Sequence, residues 1–266
     1  MTKLKNLIEW FEDKNGVLIA LSGGVDSALV AYAAYQKLGS SALAVTADYK
    51  TLSQDELTTA KQVCSEIGIT QILLDYDELE NKEFVKNDSK RCFYCRQELG
   101  IRLKNLANQR KIDLIVDGTN LDDLGDYRPG IEALKQNGIR SPLVENNFTK
   151  NEIRETAKSV GLSVYDKPSN SCLASRIPWG QRITSERLLR IEYGEKIVKQ
   201  TTKLDQVRVR DLQGMAKLEV EKEKIPLLKD VAIFEEISKK LKLIGFSQVI
   251  IDPEGYRPGK INVIAD

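Results

Sequence analysis

The sequence predicts an α/β protein, a doubly wound, mostly parallel sheet followed by a smaller C-terminal α+β domain. Three observations predict it. Short apolar runs alternate with helical spacings through the first part of the chain, a pattern of βαβ units with helices on both faces of a sheet. The first apolar run ends in a Ser/Gly turn that opens a helix. After the polar, proline-containing stretch Lys167-Pro168-Ser169-Asn170-Ser171, a long helix and short alternating runs replace that pattern. The expected domains are residues 1–168 and 169–266.

Taken in order, residues 4–13 have the spacing of a short amphipathic helix. Residues 16–21 (GVLIAL) read as a buried strand, Ser22 to Ser27 as a turn, and 28–35 as a helix. Residues 41–47 form a second buried run. Residues 54–66 place Leu57, Ala60, Val63, Cys64 and Ile67 on one helical side. Strands are expected at 70–74 and 113–117, with a helix at 97–108 between them. A helix over 151–160 has Thr149 as its cap and Glu152 at the capping-box position. In the second domain a helix is expected at 184–200 and alternating runs at 206–210 and 216–220, joined by the hairpin-like Asp211-Leu-Gln-Gly214. A helix near 230–243 and strands at 248–251 and 260–264 complete it.

Composition narrows the function classes. Forty basic residues against 39 acidic ones leave a net charge of +1, which offers no global attraction for nucleic acid or an acidic membrane. The N-terminal residues are too polar for a signal peptide, and no apolar run approaches the roughly 18 residues that span a bilayer. The expectation is a cytoplasmic protein with no membrane or nucleic-acid partner. The chain has four cysteines and no histidine. Acid–base and metal chemistry therefore falls to carboxylates, thiolates, Lys, Tyr and backbone.

In a doubly wound sheet, ligands bind beyond the carboxyl ends of the strands. Three stretches fall there: Ser22-Gly23-Gly24-Val25-Asp26-Ser27, the end of the second strand at Ala47-Asp48, and Gly118-Thr119-Asn120. The first combines paired glycines, two hydroxyls and a helix N-terminus, which together suit an anion. It lacks the lysine and spacing of the GxxxxGK[ST] loop. Asp26 is a candidate carboxylate for Mg²⁺ held against phosphates. The segment from Asp117 to Gly130 adds Asp122, Asp123, Asp126 and Arg128, and spacing leaves open which acids face a site.

Sulfur is the other signal. Cys92-Phe-Tyr-Cys95 lies between Arg91 and Arg96, and Cys172 sits in Ser171-Cys-Leu-Ala-Ser-Arg176. A CxxC by itself fits a redox pair or half of a zinc site, and a Cys₄ zinc site would need a second pair, which is absent. Cys64, among apolar positions, reads as a core thiol. Three cysteines remain. They can hold three irons of a [4Fe–4S] cluster, leaving one iron open, although such clusters more usually have four thiolates. Arg208 and Arg210 share one face of their strand by the period of two; spacing alone fits solvated arginines as well as a fork for an anion.

The Ser22–Ser27 loop resembles the SGGxDS loop of the PP-loop ATP pyrophosphatases, whose fold is that of the adenine nucleotide alpha hydrolases. Together with Arg91-Cys-Phe-Tyr-Cys95, Asp117-Gly-Thr-Asn120, Arg128-Pro-Gly130, the segment from Pro168 through Cys172 to Arg176, and Val207-Arg-Val-Arg210, it is similar to the LarE family of ATP-dependent sulfur transferases over nearly the whole chain. The resemblance implies ATP and Mg²⁺ as cofactors. The ATP contacts would be Ser22, Gly23, Gly24, Asp26, Ser27, Thr46, Asp48, Gly118 and Arg128, with Asp26 and Cys172 catalytic and Arg176, Arg208 and Arg210 on the substrate. It implies adenylation of a pyridinium-3,5-dicarboxylate mononucleotide, release of pyrophosphate, and conversion of the carboxylates to thiocarboxylates for a nickel-pincer nucleotide. Cys92, Cys95 and Cys172 correspond to the members that are thought to carry a [4Fe–4S] cluster; the alternative is sacrifice of the Cys172 sulfur. A homo-oligomer, trimer or hexamer, is also implied, while the sulfur donor stays open. Another PP-loop activity (a tRNA thiolase or an amide-forming synthetase) and a non-enzymatic iron–sulfur or nucleotide-binding regulator are the competing readings. Near-neutral charge disfavours the thiolase, and three cysteines are not needed by an ammonia-using synthetase.

Overall fold

A computed structural model of the chain describes residues 2–125 and 129–257. The residues group into two compact units, one of Met1–Glu78 with Cys92–Asn170, the other of Leu79–Arg91 with Ser171–Asp266. Residues 79–91, an excursion from the first half of the sequence, thus fold with the C-terminal unit. Arg128 and Asp126, and the strand expected at 260–264, lie outside the described residues.

In chain order, helix α1 (Lys3–Glu9) leads into β1 (Val17–Ala20), α2 (Val25–Leu38), β2 (Ala42–Asp48), α3 (Gln54–Ile67) and β3 (Thr70–Asp75). The short α4 (Lys82–Val85) precedes the long α5 (Arg91–Arg110), then β4 (Ile115–Val116), α6 (Pro129–Gln136), α7 (Pro142–Glu145) and α8 (Lys150–Ser159). The second unit continues with α9 (Ser185–Thr202), β5 (Val207–Leu212), β6 (Met215–Val220), α10 (Ile225–Leu228), α11 (Val231–Leu243) and β7 (Gln248–Ile251).

The first unit holds a parallel sheet in the order β3-β2-β1-β4. Successive side chains of a strand point to opposite faces, and β1 shows both faces filled. Val17 and Ile19 join α1, α2, α3 and α8 in one apolar cluster, while Leu18 joins Leu99, Leu103 and Ala107 of α5 in another. This is the doubly wound architecture expected from the sequence. The start of α8 and the end of α3 each have a local cause. Thr149 and Glu152 close a reciprocal capping box at the start of α8. Gly68, in the left-handed region at φ 83°, ends α3.

The second unit has a mixed sheet in the order β5-β6-β7, with β5 and β6 antiparallel and β6 and β7 parallel. The β5–β6 hairpin turns through Gln213 and Gly214, both at positive φ (52° and 93°), the backbone that two-residue hairpins favour. α9 and α11 pack their apolar sides on this sheet through Val198, Ile237 and Leu241.

Candidate active site

The loop after β1 is shaped by its own hydroxyls. Ser27 Oγ donates to the Gly24 carbonyl at 3.1 Å and accepts from the Ser22 amide at 3.2 Å. Gly23 sits at φ 80°, and a Cβ there would lie 2.9 Å from the Glu56 carbonyl and 3.0 Å from the Ala60 amide of α3. Gly118 is equally constrained, since its Cβ would stand 2.6 Å from the Ser27 amide nitrogen. Two neighbouring elements thus press on the loop, and only glycine admits both. The loop delivers the first turn of α2, capped by Gly24 without a side-chain bond, as a row of amide donors.

Asp26 lies on that first turn. Its carboxylate takes the Lys150 ammonium at 2.5 Å and the Asn120 amide at 3.2 Å. Asp122 and Asp123 do not join it. Asp122 accepts from the Lys150 backbone amide, and Asp123 from that of Asn120. Asp117 is buried and held by Thr119 and Ser141; burial raises its pKa, and these hydrogen bonds offset the rise only in part. Thr46 is buried, with its hydroxyl accepting from Gln71, and Asp48 ends β2 opposite Asp75. Among the described residues no three His, Cys, Asp or Glu side chains converge to hold a metal. Mg²⁺ on ATP needs only one or two protein carboxylates beside phosphate oxygens, and the partly exposed Asp26 fits that donor set.

The CxxC, given no secondary structure by sequence reasoning, forms the start of α5. Cys92 is exposed and Cys95 partly buried, both free thiols, and three-residue spacing places them on one side of the helix. Gly130 allows α6 to begin against this turn, where a Cβ would stand 2.8 Å from Arg96 Cγ and 3.2 Å from the Cys92 carbonyl. Beside Cys95 lies Glu78, fully buried, with Thr51 donating to it at 2.6 Å. Burial pushes its carboxyl up to about 7, against the opposing hydrogen bonds of Cys95 and Thr51. Burial lowers the Arg96 pKa, but the neighbouring Cys95, Tyr49 and Tyr76 outweigh it and hold the guanidinium above its ordinary value. Cys64 is the core thiol expected from its position, and burial raises it to about 11.

The second unit carries Cys172, free and partly buried, at the N-cap of a 3₁₀ turn over Leu173–Arg176. Arg176 closes that turn on itself. Its Nη1 donates to the carbonyls of Ser171 at 2.6 Å and Cys172 at 3.1 Å, while Nε and Nη2 form a bidentate pair with Glu195 at 2.8 and 3.1 Å. Burial would raise Glu195, but the Arg176 charge outweighs it and holds the carboxylate below its ordinary range. Arg210 is likewise bidentate on Glu219, at 2.9 and 2.6 Å, and reaches the Ser175 carbonyl at 2.9 Å. Arg208 differs. It is 4% exposed, donates to its own Val207 carbonyl, and lies 5.2 Å over the Tyr256 ring. Burial and the positive charge of Arg176 depress its pKa. Neither strand arginine is the solvated side chain that spacing alone allowed.

Sequence reasoning passed over Lys150, Asn120's role, Glu56 and Lys167. Lys150 bonds Asp26 from 124 positions away, and no local pattern signals such a contact. The family model described as "Queuosine biosynthesis protein QueC" matches residues 16–90. An uncharacterized protein of Synechocystis sp. is 41% identical over 98% of this chain and 97% of its own length. An uncharacterized protein of Methanocaldococcus jannaschii is 31% identical over 97% of both chains. The pyridinium-3,5-bisthiocarboxylic acid mononucleotide synthase of Lactiplantibacillus plantarum is 29% identical over 98% of this chain and 94% of its own.

Proposed function

The chain belongs to the LarE family of ATP-dependent sulfur transferases, within the PP-loop ATP pyrophosphatases, and on that premise we propose that it converts the carboxylates of pyridinium-3,5-biscarboxylic acid mononucleotide to thiocarboxylates. The observation that carries this reading is the loop at Ser22–Ser27. Glycine at 23 and 118 keeps open the amide row of α2, and Asp26 and Lys150 stand beside it. A carboxylate is a poor electrophile. Its oxygen attacks the α-phosphorus of ATP, the bond to the bridging oxygen breaks, and pyrophosphate leaves. The resulting acyl adenylate has a good leaving group. A sulfur nucleophile then adds to the carbonyl carbon and AMP departs, leaving a thiocarboxylate.

The residues divide this work. The amides of α2, with the Ser22 and Ser27 hydroxyls, bind phosphate oxygens. Lys150 leaves Asp26 to neutralise the departing pyrophosphate. Asp26 would hold Mg²⁺, whose positive charge screens the phosphates. Thr46, Asp48, Gly118 and Arg128 complete the proposed nucleotide contacts. Arg208, buried under the Tyr256 ring, is the arginine proposed to meet a substrate anion, and Arg176 and Arg210 shape the turn that bears Cys172. Cys92, Cys95 and Cys172 would hold a [4Fe–4S] cluster, which would supply the transferable sulfide. Two thiols outside any disulfide, one turn apart at the head of α5, suit two of its corners. A homo-oligomer is part of the same family reading.

Anaerobic reconstitution followed by iron and sulfide analysis tests the sulfur source. The expected result is cluster content that disappears in Cys92→Ala. Full content in that variant, or no cluster in the unaltered chain, overturns the three-thiolate reading. Pyrophosphate release from ATP and the pyridinium dicarboxylate nucleotide tests the activation step, and its absence overturns the function itself.

A further inference from the structure

The segment that leaves α8 and runs towards Cys172 is tied down in the first unit. Arg154 of α8 donates to the carbonyls of Tyr165 and Lys167, both at 2.9 Å. The Lys167 ammonium reaches the Gly23 carbonyl at 3.3 Å and Glu56 Oε2 at 2.9 Å. Asn170 Nδ2 donates to the other oxygen of Glu56 at 3.0 Å. One carboxylate therefore holds two residues of the segment, and one of these also touches the loop at Ser22–Ser27.

Glu56 is withheld from a local role to do this. Ser53-Gln-Asp-Glu56 has the spacing of a capping box, and Ser53 does accept from the Glu56 amide. In a closed box the Glu56 side chain would return to the Ser53 amide, as Glu152 returns to Thr149 in this same chain. Instead both its oxygens go to residues 111 and 114 positions away. The side chain is only 10% exposed, so these bonds are shielded from water. The Glu56 carbonyl, in turn, is the atom against which Gly23 packs.

We propose that Glu56 is a positioning residue that fixes the Lys167–Asn170 segment against the ATP loop, two residues before Cys172 in the chain, so that the yield of sulfur transfer per activation depends on it. Cys172 follows two residues beyond Asn170. The proposal rests on Cys172 being a ligand of the sulfur-carrying cluster. It is separable from that reading, because Cys172→Ser tests the reading alone: a Cys172→Ser chain that still makes thiocarboxylate sinks the reading whatever Glu56 does.

The experiment uses the anaerobically prepared full chain with ATP and the pyridinium dicarboxylate nucleotide, and measures pyrophosphate and thiocarboxylate together. In Glu56→Ala, pyrophosphate formation should stay within about threefold of the unaltered chain, while thiocarboxylate per pyrophosphate falls about tenfold. Glu56→Gln retains an acceptor oxygen and should recover most of the ratio. Asn170→Ala, on the exposed segment, should lower the ratio in the same direction and guards against a folding defect in the helix variant. An unchanged ratio in both Glu56→Ala and Asn170→Ala overturns the proposal. So does a parallel loss of both products, which a purely structural role would give.

Discussion

Lys150–Asp26 and Arg176–Glu195 are both ion pairs beside residues of the proposed chemistry, and they are built in opposite ways. The first is a single ammonium contact between side chains 27% and 22% exposed; the second is bidentate between side chains 1% and 9% exposed. Water screens the first pair, so a phosphate or a magnesium ion can replace either partner at little cost in stability. The second has exchanged hydration for fixed geometry, and removing one partner strands a charge. The ATP end thus keeps its charges exchangeable, whereas the cysteine-bearing turn keeps its charges locked. Catalytic charge and architectural charge look alike in a sequence; burial separates them.

The contrast can be broken most forcefully at Arg176. Arg176→Ala strips the buried Glu195 of its bidentate partner, leaving it the Val209 amide and the Arg208 charge, and should destabilise the fold by about 3–5 kcal/mol in denaturant unfolding. A loss below about 1 kcal/mol would mean that the pair is not the lock described above. Glu78 is a buried carboxyl held instead by the Thr51 hydroxyl and the Cys95 thiol. Its folded pKa, about 7, lies above the ordinary value of 4.5. The raised value means the protonated form is favoured by folding, so its contribution is complete below pH 4.5 and is lost as pH rises through 7. Glu78→Gln should therefore flatten the stability profile between about pH 5 and pH 8 by about 3 kcal/mol, with the variant gaining relative to the unaltered chain at pH 8. The same slope in both proteins would place the titration elsewhere. Lys150→Met should have the smallest effect on stability, under about 1 kcal/mol. It should nevertheless slow pyrophosphate formation by about a hundredfold. Thermal unfolding and a pyrophosphate assay on the same preparation would separate the two.

Local chemistry made much of the fold legible. The alternation of apolar runs and helical spacings, the Thr149–Glu152 box and the Gln213-Gly214 turn all appear where their residues implied. Cys64 announced its burial by its neighbours on the helix. The helix over Cys92–Cys95 was less legible, because its first turn carries aromatic and charged residues around the cysteines and no apolar period. The excursion at 79–91 into the second unit left no local mark either.

By itself the sequence determined the strand–loop–helix at Ser22–Ser27, because glycine conformation, serine capping and strand burial act within a few residues. It also determined which thiols exist to carry sulfur. Which charges are available is a matter of long-range contacts. Whether Asp26 meets Lys150, whether Glu56 closes its own cap or holds Lys167 and Asn170, and whether Arg176 faces a ligand or Glu195 depend on contacts across the fold. Such contacts are fixed by packing and desolvation, and neither is written in the spacing of residues along the chain.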